Sequence, residues 1–430
     1  MDCHCRPSPA RCLVAVTCRL LGQMLVVLVL SGVSLVGSAG VTASAAEETV
    51  VFQGAIPLPD HAVDADGTSV EVTGLSGVAW LGDDRYVAVM DNSKYLLLFR
   101  LAVSQTGKPL EVDSLRIVTL SQSHDYEDVV PCPAAVVHGL RRERQQVDLP
   151  GMTDQEGQEA EEFVLICEED TPAVRAFSLA NGRMVGAVRL PENLLTRRPN
   201  RGLESLAIEP DGRWLWTANE EALPADGPSA AAGGGTVVRL TRLPLPGDGA
   251  AAGDRSEPDR WGDSPAPAAF QAAYRVDPVH AFVRVFAGQS LSGLAALVSL
   301  GKGRLLALER SGAPGLPPFA SRIYQIDVGA AVDVSAVADD LAARQGVAVE
   351  KRLLWTDSLG INLEGLCLGP VLADGNRGLI AIADNGGIGT PNQLVGLALV
   401  PPAPAIRPAV LGVVAALLAI ALVVGRLTSP

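Results

Sequence analysis

The seventeen residues ESLAIEPDGRWLWTANE (Glu204–Glu220) decide the fold. An acid opens an apolar run. A Pro-Asp-Gly turn follows, with glycine free to take positive φ. A second run, RWLWTA, then alternates as a strand does and ends in another acid. The same unit recurs as SGVAWLGDDRYVAVMDN (Ser76–Asn92), SGLAALVSLGKGRLLALER (Ser292–Arg310) and EGLCLGPVLADGNRGLIAIADN (Glu364–Asn385). A degenerate copy reads EDVVPCPAAVV (Glu127–Val137), then, after an insertion, EEFVLICEED (Glu161–Asp170). Third strands follow as YLLLFRL, AVRAFSL, GTVVRLTRL, SRIYQIDV and QLVGLALV. Such a period marks a repeat architecture.

Three or four antiparallel strands repeated about five times predict an all-β fold, a β-propeller of five or six blades. The segment TVVFQGAI (Thr49–Ile56) is expected to complete the last blade, which otherwise ends early at Val400. An open β-array or sandwich is the alternative. Residues 138–160 and 222–268 read as insertions, and a helix is expected over Ala331–Arg344.

The flanks differ from this middle. Arg6, Arg11 and Arg19 precede an apolar run to Val36 and an Ala43-Ser44-Ala45 motif, the pattern of a secretory signal over residues 1–45. A retained N-terminal anchor is the rival. Ala409–Val424 is almost wholly apolar between Arg407 and Arg426, close to the length that spans a bilayer. The expected organisation is therefore a signal segment at 1–45, a propeller at 46–402 and a transmembrane helix with a short tail at 403–430. The propeller would be exported and held on the extracytoplasmic side of the membrane.

Composition narrows the partners. Net charge is −14 over 430 residues, and aromatics are 4%. Phosphate backbones attract basic surfaces and bases stack on aromatic rings, so nucleic acid is excluded as the main partner. Cys132, Cys167 and Cys367, beyond the leader, form no C-x-x-C motif and read as core residues. No G-x-S-x-G, H-E-x-x-H, Walker A or G-x-G-x-x-G motif is present. His124-Asp125 is the one suggestive histidine pair, just before Glu127.

In a hairpin, the start of the first strand and the end of the second lie together. Strand starts fall at Ser76, Glu127, Glu204, Ser292 and Glu364, and strand ends at Asp91, Glu168, Glu220, Glu309 and Asp384. With the first strand of each blade on the axis, all ten positions would converge on one rim of the central channel. The rim would then carry about eight carboxylates. Crowded carboxylates must either take protons or bind cations. Asp91, Glu127, Glu168, Glu204, Glu220, Glu364 and Asp384 are the expected metal ligands, hard oxygen donors that suit calcium, with magnesium second. Pairing with Arg201 and Arg310 is the structural alternative.

The stretches ESLAIEPDGRWLWTANE, LLALERSGAPGLPPFASRIYQIDV and LEGLCLGPVLADGNRGLIAIADN resemble the phytase-like domain described as esterase-like activity of phytase, over roughly residues 50–400. The resemblance implies a propeller that hydrolyses phosphoesters, with calcium bridging a small phosphorylated substrate. By motif position it carries functional roles to Glu204, Glu220, Glu309, Arg310, Glu364 and Asp384. Glu204, Glu364, Glu309 and Arg310 are the expected catalytic residues of a metal-dependent phosphoester hydrolase. A non-catalytic ligand- or protein-binding propeller at the cell surface and a gluconolactonase-like lactone hydrolase are the alternatives.

Overall fold

Hairpin after hairpin, the repeat folds into five four-stranded antiparallel blades. The computed structural model describes residues 47–145, 161–247, 269–280, 290–357, 360–385 and 391–402. The expected signal and transmembrane segments lie outside these residues. Among the described residues, no helix is long and apolar enough to cross a membrane. The propeller occupies Glu48–Val400.

Strand β1 (Thr49–Pro57) leads into a short hairpin, β2 (His61–Val63) and β3 (Ser69–Glu71). Blade 1 is β4 (Leu75–Gly82), β5 (Arg85–Met90), β6 (Ser93–Val103) and β7 (Pro109–His124), with β2 and β3 added at its outer edge. Blade 2 is β8 (Tyr126–Cys132), β9 (Phe163–Glu168), β10 (Ala173–Ser178) and β11 (Met184–Val188). Blade 3 is β12 (Leu203–Ile208), β13 (Trp214–Asn219), β14 (Val237–Pro244) and β15 (Phe270–Arg275). Blade 4 is β16 (Leu291–Gly301), β17 (Arg304–Gly312), β18 (Phe319–Asp327) and β19 (Lys351–Thr356). Blade 5 is β20 (Asn362–Val371), β21 (Arg377–Asp384) and β22 (Gln393–Val400), completed by β1 from the other end of the chain. Thr49 pairs with Val400 and Pro57 with Gln393, so the expected closing strand is in place.

The inner strands of each blade are buried on both faces, which explains runs such as Leu305–Leu308 with no polar alternation. Successive side chains point to opposite faces. Leu305 and Ala307 pack with Trp216 and Leu240 of blade 3, whereas Leu306 and Leu308 pack with Leu379 and Ala381 of blade 5. Corresponding clusters join blades 1 and 2 through Val87, Val89, Val164 and Ile166, and blades 2 and 3 through Leu165, Cys167, Leu206 and Leu215. Tyr86, Ala88, Ile380 and Ile382 join blades 5 and 1. Five apolar seams thus close the circle. Each fully buried Leu or Ile contributes about 1.5–3 kcal/mol. Cys132, Cys167 and Cys367 are buried and unbridged.

Two local expectations fail. Residues Ala134–Gln145 form a helix, α1, where a continued strand and a polar insertion are expected. The chain leaves β8 at Cys132, Pro133 opens the helical turn by accepting the Val137 amide, and Val136, Val137 and Leu140 pack onto the seam between blades 2 and 3. Conversely, Ala331–Arg344 is irregular apart from a 3-10 turn at Leu341–Ala343. Its carbonyls are claimed elsewhere. Arg239 donates to Val334 O at 3.0 Å and Val337 O at 2.7 Å, while its other guanidinium edge grips buried Asp226 at 2.6 and 2.7 Å.

Candidate functional site

A one-residue bulge at the start of the inner strand recurs in the blades. In blade 2, Tyr126 faces Glu168 and Asp128 faces Cys167, which leaves Glu127 as the extra residue. Blade 3 leaves Glu204 between Leu203 and Ser205, and blade 5 leaves Glu364 between Leu363 and Gly365. In blade 4 the extra residue is Ala295, between Leu294 and Ala296. Blade 1 sets both Ser76 and Gly77 against Val89. A bulge re-aims a side chain that regular pairing would hold on the sheet face. Here it marks the glutamates that meet at the rim.

The same register aligns the ends of the second strands. The residue just beyond the last pair before the bulge is Asp91, Glu169, Glu220, Arg310 and Asp384 in blades 1 to 5. Opposite it stand Gly74, Asp125, Gly202, Gly293 and Asn362. A Cβ on Gly74 would meet Asp91, and one on Gly293 would meet Glu220, so glycine makes room for the acid. Blade 2 instead places a second acid, Asp125, against Glu169.

Two expected positions are therefore shifted by one residue. Glu168 and Glu309 precede the rim positions and point to the opposite face of their strands. Both are fully buried. Glu168 contacts Arg175 and lies 3.7 Å from His124. Glu309 accepts the Tyr274 hydroxyl at 2.6 Å, pairs with Lys351 at 2.5 Å and accepts the Asp277 amide at 3.0 Å. Neither joins the ring. Ser292 does not join it either, since its hydroxyl donates to Asp277 O. Asp91, Glu127, Glu204, Glu220, Glu364 and Asp384 do, together with Arg310. Asp125 and Glu169 are the members that the sequence reading omits. Counting outward from the bulge rather than from the strand end would have found both.

Arg310 bridges three acids from its two neighbouring blades. It contacts Glu364, reaches Glu220 at 2.7 Å and lies 3.5 Å from Glu204. Glu220 also pairs with Arg201 at 3.1 Å. Arginine pairing, the alternative to a metal, is thus present on this side of the ring. Burial pushes Glu364 up to about 7 even though Arg310 opposes the shift. Burial, then the charges of Glu127 and Glu220, hold Glu204 well above the usual carboxylate range.

The acids of blades 1 and 2 lack such a bridge. Burial and the neighbouring Asp125 and Asp384 raise Asp91 to about 6. Burial raises Glu169 to about 7, against the Gly202 amide that it accepts at 2.6 Å. Burial and the charges of Asp125, Glu169, Glu364 and Asp91 raise Glu127 well above its ordinary value. Asp125, Glu127 and Glu169 each offer an oxygen, and these atoms lie within 4.8 Å of one another. Three hard donors so close fit a calcium-type cation. Further along the same inner strands, Val78, Val129, Leu206, Leu297 and Leu366 help to line an apolar channel cavity of about 210 Å³.

The family profile described as phytase-like, esterase-like activity of phytase, matches residues 70–387. The chain belongs to the phytase-like family. The match spans all five blades, from β3 to just past β21. No curated protein matches the sequence. Among solved structures, a streptogramin B lyase is 9% identical, covering 82% of this chain and 98% of its own, with a TM-score of 0.29. The native arabinanase of Bacillus subtilis is 12% identical over 75% of this chain and 93% of its own, with a TM-score of 0.32. At these scores the likenesses add nothing to the blade arrangement of this phytase-like propeller.

Proposed function

We propose that this phytase-like propeller is a divalent-cation-dependent phosphoester hydrolase whose site is the acidic rim. One observation carries the reading: three carboxylates of blade 2, Asp125, Glu127 and Glu169, converge within 4.8 Å, across the ring from the acids that Arg310 and Arg201 engage. Those three residues would hold the cation, calcium before magnesium. When bound, it would neutralise the phosphate charge and act as a Lewis acid. Arg310, locked between Glu220 and Glu364, presents a fixed guanidinium to a phosphate oxygen. Glu364 titrates near neutrality, so it can hold or release a proton at the pH of the reaction. Glu204, held well above the usual carboxylate range by burial and by Glu127 and Glu220, stands in the same cluster. The substrate would be a small phosphorylated molecule. The expected signal segment and C-terminal helix would place the rim outside the cell, tethered to the membrane.

The engagement of Arg310 by three carboxylates favours a second reading, a surface propeller that binds a ligand and turns nothing over. One experiment separates the two. Purified protein is assayed on 4-nitrophenyl phosphate and phytate with calcium or with chelator. Chelator-sensitive phosphate release that Glu127→Gln and Glu169→Gln abolish supports the hydrolase. Release indifferent to both perturbations refutes it. Calcium-dependent thermal stabilisation without turnover favours the second reading.

A further inference from the structure

Beside the oxygen triad, on the other face of the same strands, lies a different donor set. His124 ends β7, and Glu168 and Asp170 flank Glu169. His124 Nδ1 is 3.2 and 3.3 Å from the two Asp170 oxygens and 3.7 Å from Glu168 Oε2. The three ligand atoms lie within 4.8 Å of one another. On the far edge of the ring, His124 Nε2 is 3.3 Å from Gln122 Oε1. When Nε2 donates to that oxygen, the neutral imidazole turns the Nδ1 lone pair toward two carboxylates. A lone pair and two carboxylates facing one another are held together by a second ring proton or by a cation.

The surroundings favour a cation. Glu168 is 0% exposed, and neither of its oxygens accepts a hydrogen bond among the described residues. Its charge partner, Arg175, is partly buried, with 19% of its side chain exposed. A histidine whose other nitrogen donates to a carbonyl is the usual form of a metal-bound imidazole. One nitrogen with two carboxylates is a donor set suited to zinc, whereas calcium seeks six or more oxygens.

We propose that His124, Glu168 and Asp170 form a binding site for zinc or a similar transition metal, separate from the Asp125–Glu127–Glu169 triad. The site stands independently of the hydrolase reading. Loading it would draw Glu168 from Arg175 and fix the β7–β8 corner that carries Asp125.

The test uses the full-length protein stripped of metal and held in excess calcium. Cobalt(II) is titrated in, its visible absorption recorded, and zinc added in competition. The expected result is one equivalent of cobalt that zinc displaces and calcium does not. His124→Ala and Asp170→Asn should each weaken binding by roughly a hundredfold. Asp170 is half exposed, so that variant should keep its melting temperature. Arg175→Gln should tighten binding, because it removes a competing cation. Unchanged cobalt spectra in His124→Ala and Asp170→Asn would overturn the proposal. So would the absence of zinc-competable binding, or a loss in Glu127→Gln instead, which would assign the metal to the oxygen triad.

Discussion

Replacing Arg310 by methionine keeps the length of the side chain and removes the one cation shared by Glu204, Glu220 and Glu364. The guanidinium is 13% exposed and its partners are 8%, 2% and 10% exposed, so water screens little of the interaction. Removing one member of a buried pair costs about 3–5 kcal/mol. Three lost pairs do not cost three times that. Glu364 already titrates near 7 and escapes its lost partner by taking a proton at almost no cost at neutral pH. Glu204 stands farther from Arg310, at 3.5 Å, and burial already holds it well above the usual carboxylate range. Glu220 keeps Arg201. The loss at pH 7.5 should therefore lie at the lower end, about 3 kcal/mol, out of a total near 5–15 kcal/mol. The variant carboxylates have higher folded pKa values than those of the wild type, so its folded state binds more protons. Its stability falls more steeply as pH rises, and the gap should shrink by pH 5. Urea denaturation of both proteins at the two pH values, without divalent ions, measures this. A gap that is equal at both pH values, or larger at pH 5, would refute the idea that Arg310 holds ionised carboxylates together.

Four further outcomes follow from the same geometry. In metal-free protein, Asp91, Glu169 and Glu364 have folded values near 6, 7 and 7, above their ordinary ones. Stability should thus fall as pH rises from about 4 through 7, and saturating calcium should flatten that slope in thermal melts. Glu127→Gln should raise metal-free stability at pH 7.5, since it replaces a buried carboxyl crowded by Asp125, Glu169, Glu364 and Asp91 with a neutral amide, while reducing the calcium-induced rise in melting temperature. Arg239→Met should cost about 3–5 kcal/mol and open residues 331–344 to limited proteolysis, because buried Asp226 and two carbonyls lose their donor. A Cβ at Gly77 would overlap Asp128 and the Glu127 carbonyl, so Gly77→Ala should destabilise the inner strands, read as a lower urea midpoint.

The blade repeat is legible in the sequence because every blade needs the same two-faced apolar strands and the same tight turns. ESLAI and EGLCL carry this plainly, and the closing role of Thr49–Ile56 follows from an unfilled outer position. The exact rim is less legible. A bulge adds one residue without changing composition, so Glu168-Glu169 and Glu309-Arg310 cannot be told apart until the pairing is known. Blade 4 is the harder case. Its Ser292 matches the motif, yet the register sets Ala295 in the place of Glu204. Helix α1 escapes notice because its apolar stripe is only three buried residues among many polar ones. The irregular course of 331–344 is decided by an arginine nearly a hundred residues earlier, and no local pattern shows that.

The division of the rim follows from five blades and one arginine. Arg310 stands in blade 4 and reaches acids of blades 3 and 5, its immediate neighbours. Blades 1 and 2 are beyond its ion pairs, and there the acids are densest, because blade 2 carries Asp125 where blades 1, 3 and 4 carry glycine. Burial first, and then the neighbouring carboxylates, push Asp91, Asp125, Glu127 and Glu169 above their ordinary values. A buried carboxylate crowded by like charges gains most when a cation arrives. A divalent ion should therefore settle on the side of blades 1 and 2 and leave the Arg310 side intact. Moving the arginine, by pairing Arg310→Ala with Asp91→Arg, should weaken cation binding at Asp125–Glu127–Glu169 and release Glu204, Glu220 and Glu364 to take up a cation on the opposite side.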